Sequence, residues 1–333
     1  MQRVQTDYQP VSKLVLAYPE RFYNGYEELV PFYDELIELI PEDILIWAIT
    51  NSDQTSEKLQ EQFSHKQLNT LGIRNWDEIW LRDCIGINKG HTIIKPQYSP
   101  NYCNKNLDNY YKQIHKSSRR IIKDCLEKEI VELPLKFECG NFVCNNEYAF
   151  LTDKVLEQNK DIGEEHIQQI INSLTGLTPV FIKGNKYDTI GHTDGYMNFI
   201  DDDKILLARY PSFPFLSEDI DFINRLEEEL INSGVEIITL YDRPVNEGAI
   251  NCGCNGKKHS SCLFSARGNY VNFLQINRTI ILPEYTLPTK RETNFYNKVN
   301  QEILEGQGFE VKRINCDLLS KFGGVLHCIS FTA

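Results

Sequence analysis

The amino-acid sequence predicts an α/β fold in which one group of elements recurs about five times. Amphipathic helices alternate with short apolar strands from residue 26 to residue 331. In each unit, a polar motif with Gly, Asn or Asp separates two of the strands. Units of roughly 50–75 residues that each bury one face against a neighbour are typical of a closed radial repeat, here a five-bladed propeller. An open, doubly wound sheet gives a similar alternation and is the alternative.

The helices are predicted from apolar residues spaced three and four positions apart. In the first helix, Leu29, Tyr33 and Leu36 form such a stripe. Gly176 is a candidate C-cap of the third helix, and the fourth begins at Ser217 with two acidic residues in its first turn. The predicted helices span residues 26–40, 108–127, 163–174, 217–230 and 290–305.

The strands are predicted from short apolar runs between the helices. The fifth unit lacks a last strand, which residues 14–17 at the other end of the chain could supply, closing a ring. No linker divides the sequence, so residues 1–333 are expected to form one catalytic domain, although about 150 residues per domain would suggest two. The other predicted strands span residues 44–49, 79–87, 91–95, 130–133, 137–144, 148–152, 179–183, 191–200, 204–209, 235–241, 270–276, 279–282, 309–314 and 325–331.

The composition excludes several classes of protein. The 333 residues include 47 acidic and 35 basic side chains, for a net charge of −12. This argues against nucleic-acid or membrane partners, because both require an excess of Lys and Arg on some face. A hydrophobic content of 41% is ample for a core, and the apolar runs are too short to cross a bilayer. The first ten residues lack the apolar stretch of a secretion signal, which predicts a cytoplasmic protein.

The ten cysteines are too few for a disulfide scaffold and are expected to be mostly reduced and buried. Cys252, Cys254, His259 and Cys262 form a cluster of metal-ligand types, but their spacing is not that of a standard zinc finger or knuckle. A solvated loop is the simpler interpretation of this segment.

Five polar motifs, one in each predicted unit, could project to one end of the fold. They contain four carboxylates, a His two residues before an Asp, and a Cys after a Gly-Gly turn. These are the components of a thiol-nucleophile site with a base and anionic hydrogen-bond acceptors. The motifs span residues 80–83, 137–141, 188–195, 269–273 and 323–328.

Each motif residue also has a simpler interpretation. Cys328 could be a buried small hydrophobe, and His192 could merely cap or fill its turn. Because His192 and Asp194 are two residues apart, they point to the same side of a strand, which suits a metal site equally well. Asp83 could form a weak surface salt bridge, and Glu138 could be a turn residue.

Taken in order, the motifs resemble those of the agmatine deiminase and bacterial-type peptidylarginine deiminase family, part of the guanidine-modifying pentein superfamily. The resemblance runs from about residue 14 to residue 331 and includes the Trp-x-Arg-Asp, Asp-Thr-x-Gly-His-x-Asp and terminal His-Cys motifs. In the Glu-Gly-Gly-Asn motif, Cys139 replaces one glycine. The resemblance implies a pentein fold, a five-bladed α/β propeller of pseudo-symmetric ββαβ repeats.

The resemblance also implies the chemistry: hydrolysis of a guanidine group through a covalent thiouronium intermediate, with no metal and no organic cofactor. Cys328 would be the nucleophile, His192 the general acid and base, and Glu138 the partner of His192. The residues implied to bind the substrate are Asp83, Asp194, Trp80 and Asn272.

The expected substrate is a small cationic guanidine, agmatine, converted to N-carbamoylputrescine and ammonia for putrescine synthesis. The sequence departs from the family's pattern at residues 8–10, 84–87 and 97–103, but these segments contain none of the residues implied to act on the guanidine group. Arginine in a peptide is the second candidate substrate, and the absence of an export signal favours agmatine over it. The chain could also be an amidinotransferase or a non-catalytic binding module, and a homodimer is considered as the assembly.

Overall fold

Five sheets and nine helices make up the regular structure of the described residues. The computed structural model describes residues 3–20, 25–100, 108–185, 188, 190–249 and 265–333. Four sheets have three strands each and the fifth has four. The α/β prediction is confirmed, and the number of sheets equals the number of predicted units. Each helix within the described ranges is too short or too polar to span a membrane.

Strands and helices alternate along the chain. The strands are β1 (Lys13–Ala17), β2 (Leu45–Thr50), β3 (Leu68–Gly72), β4 (Ile87–Lys89), β5 (Thr92–Gln97), β6 (Glu129–Lys136), β7 (Val143–Cys144), β8 (Tyr148–Thr152), β9 (Thr178–Ile182), β10 (Met197–Phe199), β11 (Lys204–Arg209), β12 (Glu236–Tyr241), β13 (Leu274–Ile276), β14 (Thr279–Glu284), β15 (Glu310–Asn315) and β16 (Ser330–Thr332). The helices are α1 (Val30–Leu39), α2 (Asp53–Gln62), α3 (Leu81–Ile85), α4 (Asp108–Asp124), α5 (Lys154–Gln158), α6 (Glu164–Thr175), α7 (Ser217–Asn232), α8 (Lys290–Gly306) and α9 (Asp317–Ser320).

The three-stranded sheets share one topology. Two strands pair antiparallel as a hairpin, a helix follows, and the third strand returns parallel to the second. In the sheet of β10, β11 and β12, Met197 pairs with Leu207 in the antiparallel ladder, and Ile205 pairs with Ile237 in the parallel one. A parallel pair requires such a crossover, which α7 supplies here. The central strand is covered on both faces, so its apolar run is continuous rather than alternating.

The two ends of the chain meet in the four-stranded sheet. Leu14 of β1 pairs antiparallel with Thr332 of β16 and parallel with Ile46 of β2. The prediction that residues 14–17 complete the last sheet is therefore confirmed. This sheet also contains β3, which was not predicted because its residues are only partly buried or exposed. The preceding helix α2 was missed as well, since Leu59 is its one buried residue and no apolar stripe marks it.

Several predicted strands are wrong over part of their length. Residues 79–87 contain the helix α3 instead of a strand, and residues 137–144 and 191–200 each begin with a 3₁₀ turn before a short strand. In the segment 325–331 only the last residues join β16. Short apolar runs that are buried on every side carry no period that separates helix from strand. The polar motifs lie on these turns and loops, each before the first hairpin strand of its sheet or, in the fifth motif, before β16.

Candidate active site

The motif residues come together because each lies at the same end of its sheet. Asp83 lies in α3, Glu138 begins the turn before β7, and Asp194 lies in the turn before β10. Asn272 and Cys328 lie in the segments that lead into β13 and β16. Lys95 is fully buried and fixes the end of α3, donating to the carbonyl of Cys84 at 2.5 Å. A cation at the C-terminal end of a helix is favourable.

Three of these side chains meet at the bare backbone of Gly140. The Gly140 N–H donates to Asp83 Oδ1 at 3.0 Å. A Cβ atom at position 140 would lie 2.6 Å from Asp83 Oδ1, 2.7 Å from His192 Nδ1 and 3.3 Å from Asp194 Oδ1. Glycine is therefore required here for the site to form. Cys139, which replaces the other glycine of the motif, packs in a hydrophobic cluster instead.

His192 lies between two carboxylates and is almost fully buried. Its Nδ1 is 3.4 Å from Asp83 Oδ1, and its Nε2 is 3.5 Å from Glu138 Oε2. Gln158 donates to both oxygens of Glu138, at 3.1 and 2.9 Å, and so fixes that carboxylate. Burial lowers the pKa of His192, but the neighbouring carboxylates, Asp83 foremost, outweigh burial and raise it to about 9. The imidazole is therefore protonated at neutral pH and can donate a proton.

Cys328 is partly exposed and is held by Asn272. The Oδ1 atom of Asn272 accepts from the backbone N–H and from the thiol of Cys328, both at 3.4 Å. The thiol sulfur is 3.7 Å from Asp194 Oδ2. Burial raises the pKa of the Cys328 thiol well above its usual value, and the charges of Asp194 and Asp83 raise it further. A cation bound beside these carboxylates would oppose that effect and favour the thiolate.

Asp83 can respond to the same cation. Burial raises the pKa of this carboxyl to about 7, against the lowering effect of His192. Nearby carboxylates, Asp194 first among them, raise it as well. A bound cation would stabilise the ionised form, so the carboxyl groups of the site are suited to grip a guanidinium.

His327 belongs to the site although no role was predicted for it. Its Nδ1 is 2.7 Å from Asp194 Oδ2, and its Nε2 is 3.2 Å from Asp7 Oδ2. Asp7 in turn pairs with Arg82 at 2.9 Å. His327 lies within the fifth motif and could have been considered from the sequence. Asp7 could not, because it is 320 positions from His327 and no local pattern predicts their contact.

Trp80 packs behind the site and is absent from the described lining of its main cavity. A Cβ atom on Gly324 would lie 2.5 Å from Cζ3 of the Trp80 ring, so the indole lies directly against the glycine loop. The ring also meets Tyr26 edge to face, with centroids 6.3 Å apart. Trp80 therefore supports the loop that leads to Cys328.

A cavity of about 520 Å³ opens beside the motif residues. His192, Asp194, Asn272 and Cys328 are among its lining residues, whereas Asp83 and Glu138 are not. Four more acidic side chains line the cavity, namely Asp188, Glu218, Asp219 and Asp242. Asp188 begins the third motif, but none of the four was given a role at the site from the sequence.

Besides His192, the described lining contains the basic residue Arg267, whose charge is already matched. It lies 3.4 Å from Glu247 and 3.4 Å from Asp317. By contrast, Asp242 is buried and uses Oδ1 to accept the backbone N–H of Tyr270 at 2.7 Å, while its Oδ2 has no hydrogen-bond partner in the described part of the chain. Burial raises the pKa of Asp242 well above its usual value, and a cation beside this carboxyl group would favour its ionised form. The acidic lining is therefore suited to a positively charged ligand.

Among the described residues, no group of three His, Cys, Asp or Glu side chains is arranged to hold a metal ion. The cluster of Cys252, Cys254, His259 and Cys262 lies outside those residues.

Solved structures resemble this chain over its whole length. The agmatine deiminase of C. jejuni is 17% identical, with a TM-score of 0.77 over 100% of this chain and 96% of that one. The agmatine deiminase of Enterococcus faecalis is also 17% identical, with a TM-score of 0.77 over 99% and 95%. DDAH from Pseudomonas aeruginosa is 12% identical, with a TM-score of 0.56 over 98% and 100%. These likenesses identify the fold as that of the pentein structures.

The sequence comparisons identify the family. No curated protein matches the chain. The model of the Porphyromonas-type peptidyl-arginine deiminase family matches residues 3–333. The resemblance found in the five motifs is thus confirmed, and the chain belongs to the Porphyromonas-type peptidyl-arginine deiminase family.

Proposed function

We propose that this protein is a deiminase that hydrolyses the guanidine group of a small dication, agmatine, to N-carbamoylputrescine and ammonia. The observation that carries the proposal is that Cys328, His192 and Asp194 line the same cavity as four further acidic side chains. Family membership supports guanidine chemistry, and the similar solved structures include enzymes named agmatine deiminases. The proposal includes one catalytic domain over residues 1–333, with the five sheets arranged as propeller blades.

The guanidinium would bind with its nitrogens against Asp83 and Asp194. Two carboxylates can hold a planar guanidinium by paired, charge-assisted hydrogen bonds. The bound cation would lower the pKa of the Cys328 thiol, so the nucleophile would form when substrate is present. This order of events fits a thiol whose pKa is raised by burial and by the charges of Asp194 and Asp83.

The reaction would proceed in two steps. In the first, the Cys328 thiolate attacks the guanidinium carbon, a C–S bond forms, and the C–N bond to the terminal nitrogen breaks as His192 donates a proton to the departing ammonia. In the second, His192 takes a proton from a water molecule that attacks the thiouronium carbon. The C–S bond then breaks, the ureido product forms, and Cys328 is regenerated. Glu138 would stabilise the protonated state of His192 between the steps.

The cavity lining supports agmatine over an arginine residue in a peptide. An arginine substrate carries a carboxylate or an amide on its far end, and a carboxylate would require an unpaired cation. The described lining contains Arg267, whose charge is already matched by Glu247 and Asp317. The ammonium of agmatine would instead meet Asp219 and Asp242, which line the same cavity.

The decisive experiment measures ammonia release from agmatine, free arginine and an arginine peptide, with Cys328→Ala as the control. We expect agmatine to be the preferred substrate and the Cys328→Ala protein to be inactive. Equal turnover of all three guanidines would overturn the choice of agmatine. Ammonia release by the Cys328→Ala protein would overturn the mechanism.

The tail contact can be tested separately with propylguanidine, which lacks the ammonium. Replacing Asp219 by Asn should raise KM for agmatine about tenfold, the effect of one charge-assisted contact, and leave KM for propylguanidine unchanged. An equal change for both compounds would show that Asp219 does not recognise the tail.

A further inference from the structure

A chain of four charged side chains connects the amino-terminal segment to the thiol. Arg82 Nη2 lies 2.9 Å from Asp7 Oδ1, and Asp7 Oδ2 lies 3.2 Å from His327 Nε2. On its other side, His327 Nδ1 lies 2.7 Å from Asp194 Oδ2, which is 3.7 Å from the sulfur of Cys328. Both nitrogens of the His327 ring face a carboxylate. The ring is therefore fixed in one orientation, and it is only 2% exposed.

The first residues of the described chain hold Asp7 in place. The backbone N–H of Gln5 donates to the carbonyl of Asn88 in β4 at 2.8 Å, and the Asn88 side chain donates back to Gln5 at 2.6 Å. Val4 and Thr6 are buried on either side of Gln5. Asp7 is therefore presented by a segment that is anchored to a sheet.

Neighbouring charges favour the ionised form of Asp7 and the protonated form of His327. Arg82 and His327 hold the pKa of Asp7 well below its usual range, although burial opposes them. Burial and the charge of Arg82 lower the pKa of His327, but Asp7 and Asp194 outweigh them and raise it. A protonated imidazole can donate to both Asp7 and Asp194, and its hydrogen bond to the Asp194 carboxylate is then charge-assisted.

Acidic groups outnumber basic groups by one in these contacts. In the described part of the chain, the contacts at the site involve four carboxyl groups and three basic side chains, namely Asp7, Asp83, Glu138, Asp194, Arg82, His192 and His327. One bound guanidinium would make the numbers of acidic and basic groups equal. Asp194 Oδ1 lies near Gly140, as does Asp83 Oδ1. These are the two carboxyl groups that are proposed to bind the guanidinium.

We propose that His327 is a positioning residue for guanidinium binding: held by Asp7, it fixes the Asp194 carboxylate beside Cys328, so the amino-terminal segment sets the affinity of the site for its cation. The proposal rests on the deiminase function proposed above. It assigns no contact with the substrate to His327 or Asp7. Their effect on the reaction is exerted through Asp194.

The test uses two thiol-alkylating reagents of similar size, one of which is a cation and the other neutral. Chloroacetamidine is an amidinium cation that can bind between Asp83 and Asp194, whereas iodoacetamide is neutral. In both reactions the thiolate displaces halide, forming a C–S bond as the carbon–halogen bond breaks. The ratio of the two alkylation rates therefore measures the cation grip and requires no knowledge of the natural substrate. Alkylation of Cys328 is followed by mass spectrometry.

Asp7→Asn should lower the rate ratio about 10- to 100-fold, the range for loss of one charge-assisted hydrogen bond. It should raise KM for agmatine by more than it lowers kcat. His327→Asn keeps an N–H near the position of Nδ1 and should retain more of the ratio than His327→Leu. Tyr8→Phe is the matched control, because it loosens the same segment by removing its bond to Asp202 without touching the charged chain. Its ratio should stay within about twofold of wild type.

The outcomes separate this proposal from the function on which it rests. If Cys328 of the wild-type protein prefers chloroacetamidine over iodoacetamide no more than a free thiol in solution does, both the positioning role and the proposed function are overturned. A wild-type preference for the amidine that persists in folded Asp7→Asn and His327→Leu proteins would overturn the positioning role alone. Equal losses in Asp7→Asn and Tyr8→Phe would assign the effect to general loosening of the segment and would overturn it as well.

Discussion

Replacing Gly140 by Ala adds one methyl group at the point where three site side chains meet. The new Cβ would lie 2.6 Å from Asp83 Oδ1 and 2.7 Å from His192 Nδ1. To reach ordinary contact distances, these groups must retreat by about 0.5–1 Å. The backbone at Gly140 lies outside the left-handed region, so alanine meets no conformational strain there. The expected effect is therefore due to the collision alone.

The size of the effect follows from how catalysis depends on position. A displacement of about 1 Å can cost roughly 100-fold in rate, and the Gly140 N–H would also move away from Asp83. We expect kcat/KM for the guanidine substrate to fall at least about 100-fold. Overpacking of this kind destabilises a folded protein by about 1–3 kcal/mol, which should leave a folded chain.

The assay is ammonia release together with urea unfolding followed by circular dichroism. Gly306→Ala is the control, because no atom lies within 4 Å of its Cβ position at the end of α8. It should keep wild-type activity and unfold at equal or higher urea, since alanine is the better helix former. A folded Gly140→Ala protein with activity within about threefold of wild type would refute the assigned convergence of Asp83, His192 and Asp194.

Two further predictions concern pH. The kcat/KM profile should be bell-shaped: it should rise near pH 7 as Asp83 ionises and fall near pH 9 as His192 loses its proton; an acid limb near pH 4 would contradict it. Burial lowers the pKa of Lys95 from 10.5 to about 8, so the unfolded chain binds more protons between these values and stability due to this group rises with pH. Relative to Lys95→Met, the wild type should gain on the order of 3 kcal/mol of unfolding free energy from pH 8 to 10.5, as measured by urea unfolding. A difference in unfolding free energy between the two proteins that stays constant over this pH range would contradict the burial of Lys95.

The residues of the five motifs could be predicted because each motif is local. His192 and Asp194 are two positions apart, and Cys328 follows a Gly-Gly pair, so both patterns can be seen within a few residues. The long helices could be predicted for the same reason, since an apolar stripe is a local property. Ser217 begins α7 as predicted, and Gly176 has the left-handed conformation of a helix C-cap.

Contacts between distant segments could not be predicted in this way. Asp7 meets His327 only because β1 and β16 pair at the two ends of the chain. A strand was predicted over residues 79–87 because most of them are apolar, and propensity over the five residues of α3 is too weak to indicate a helix. Glu218 and Asp219 were interpreted as favourable charges in the first turn of α7, which they are, but they also line the cavity.

The residues proposed for the chemistry and two of those proposed to select the substrate come from different parts of the repeated unit. The motif residues precede the first strand of a sheet or, in the fifth motif, β16, whereas these two acidic cavity residues follow later strands. Asp219 lies in the helix that follows β11, and Asp242 lies directly after β12. A change in the second group would alter the tail that the cavity accepts without moving Asp194 or Cys328.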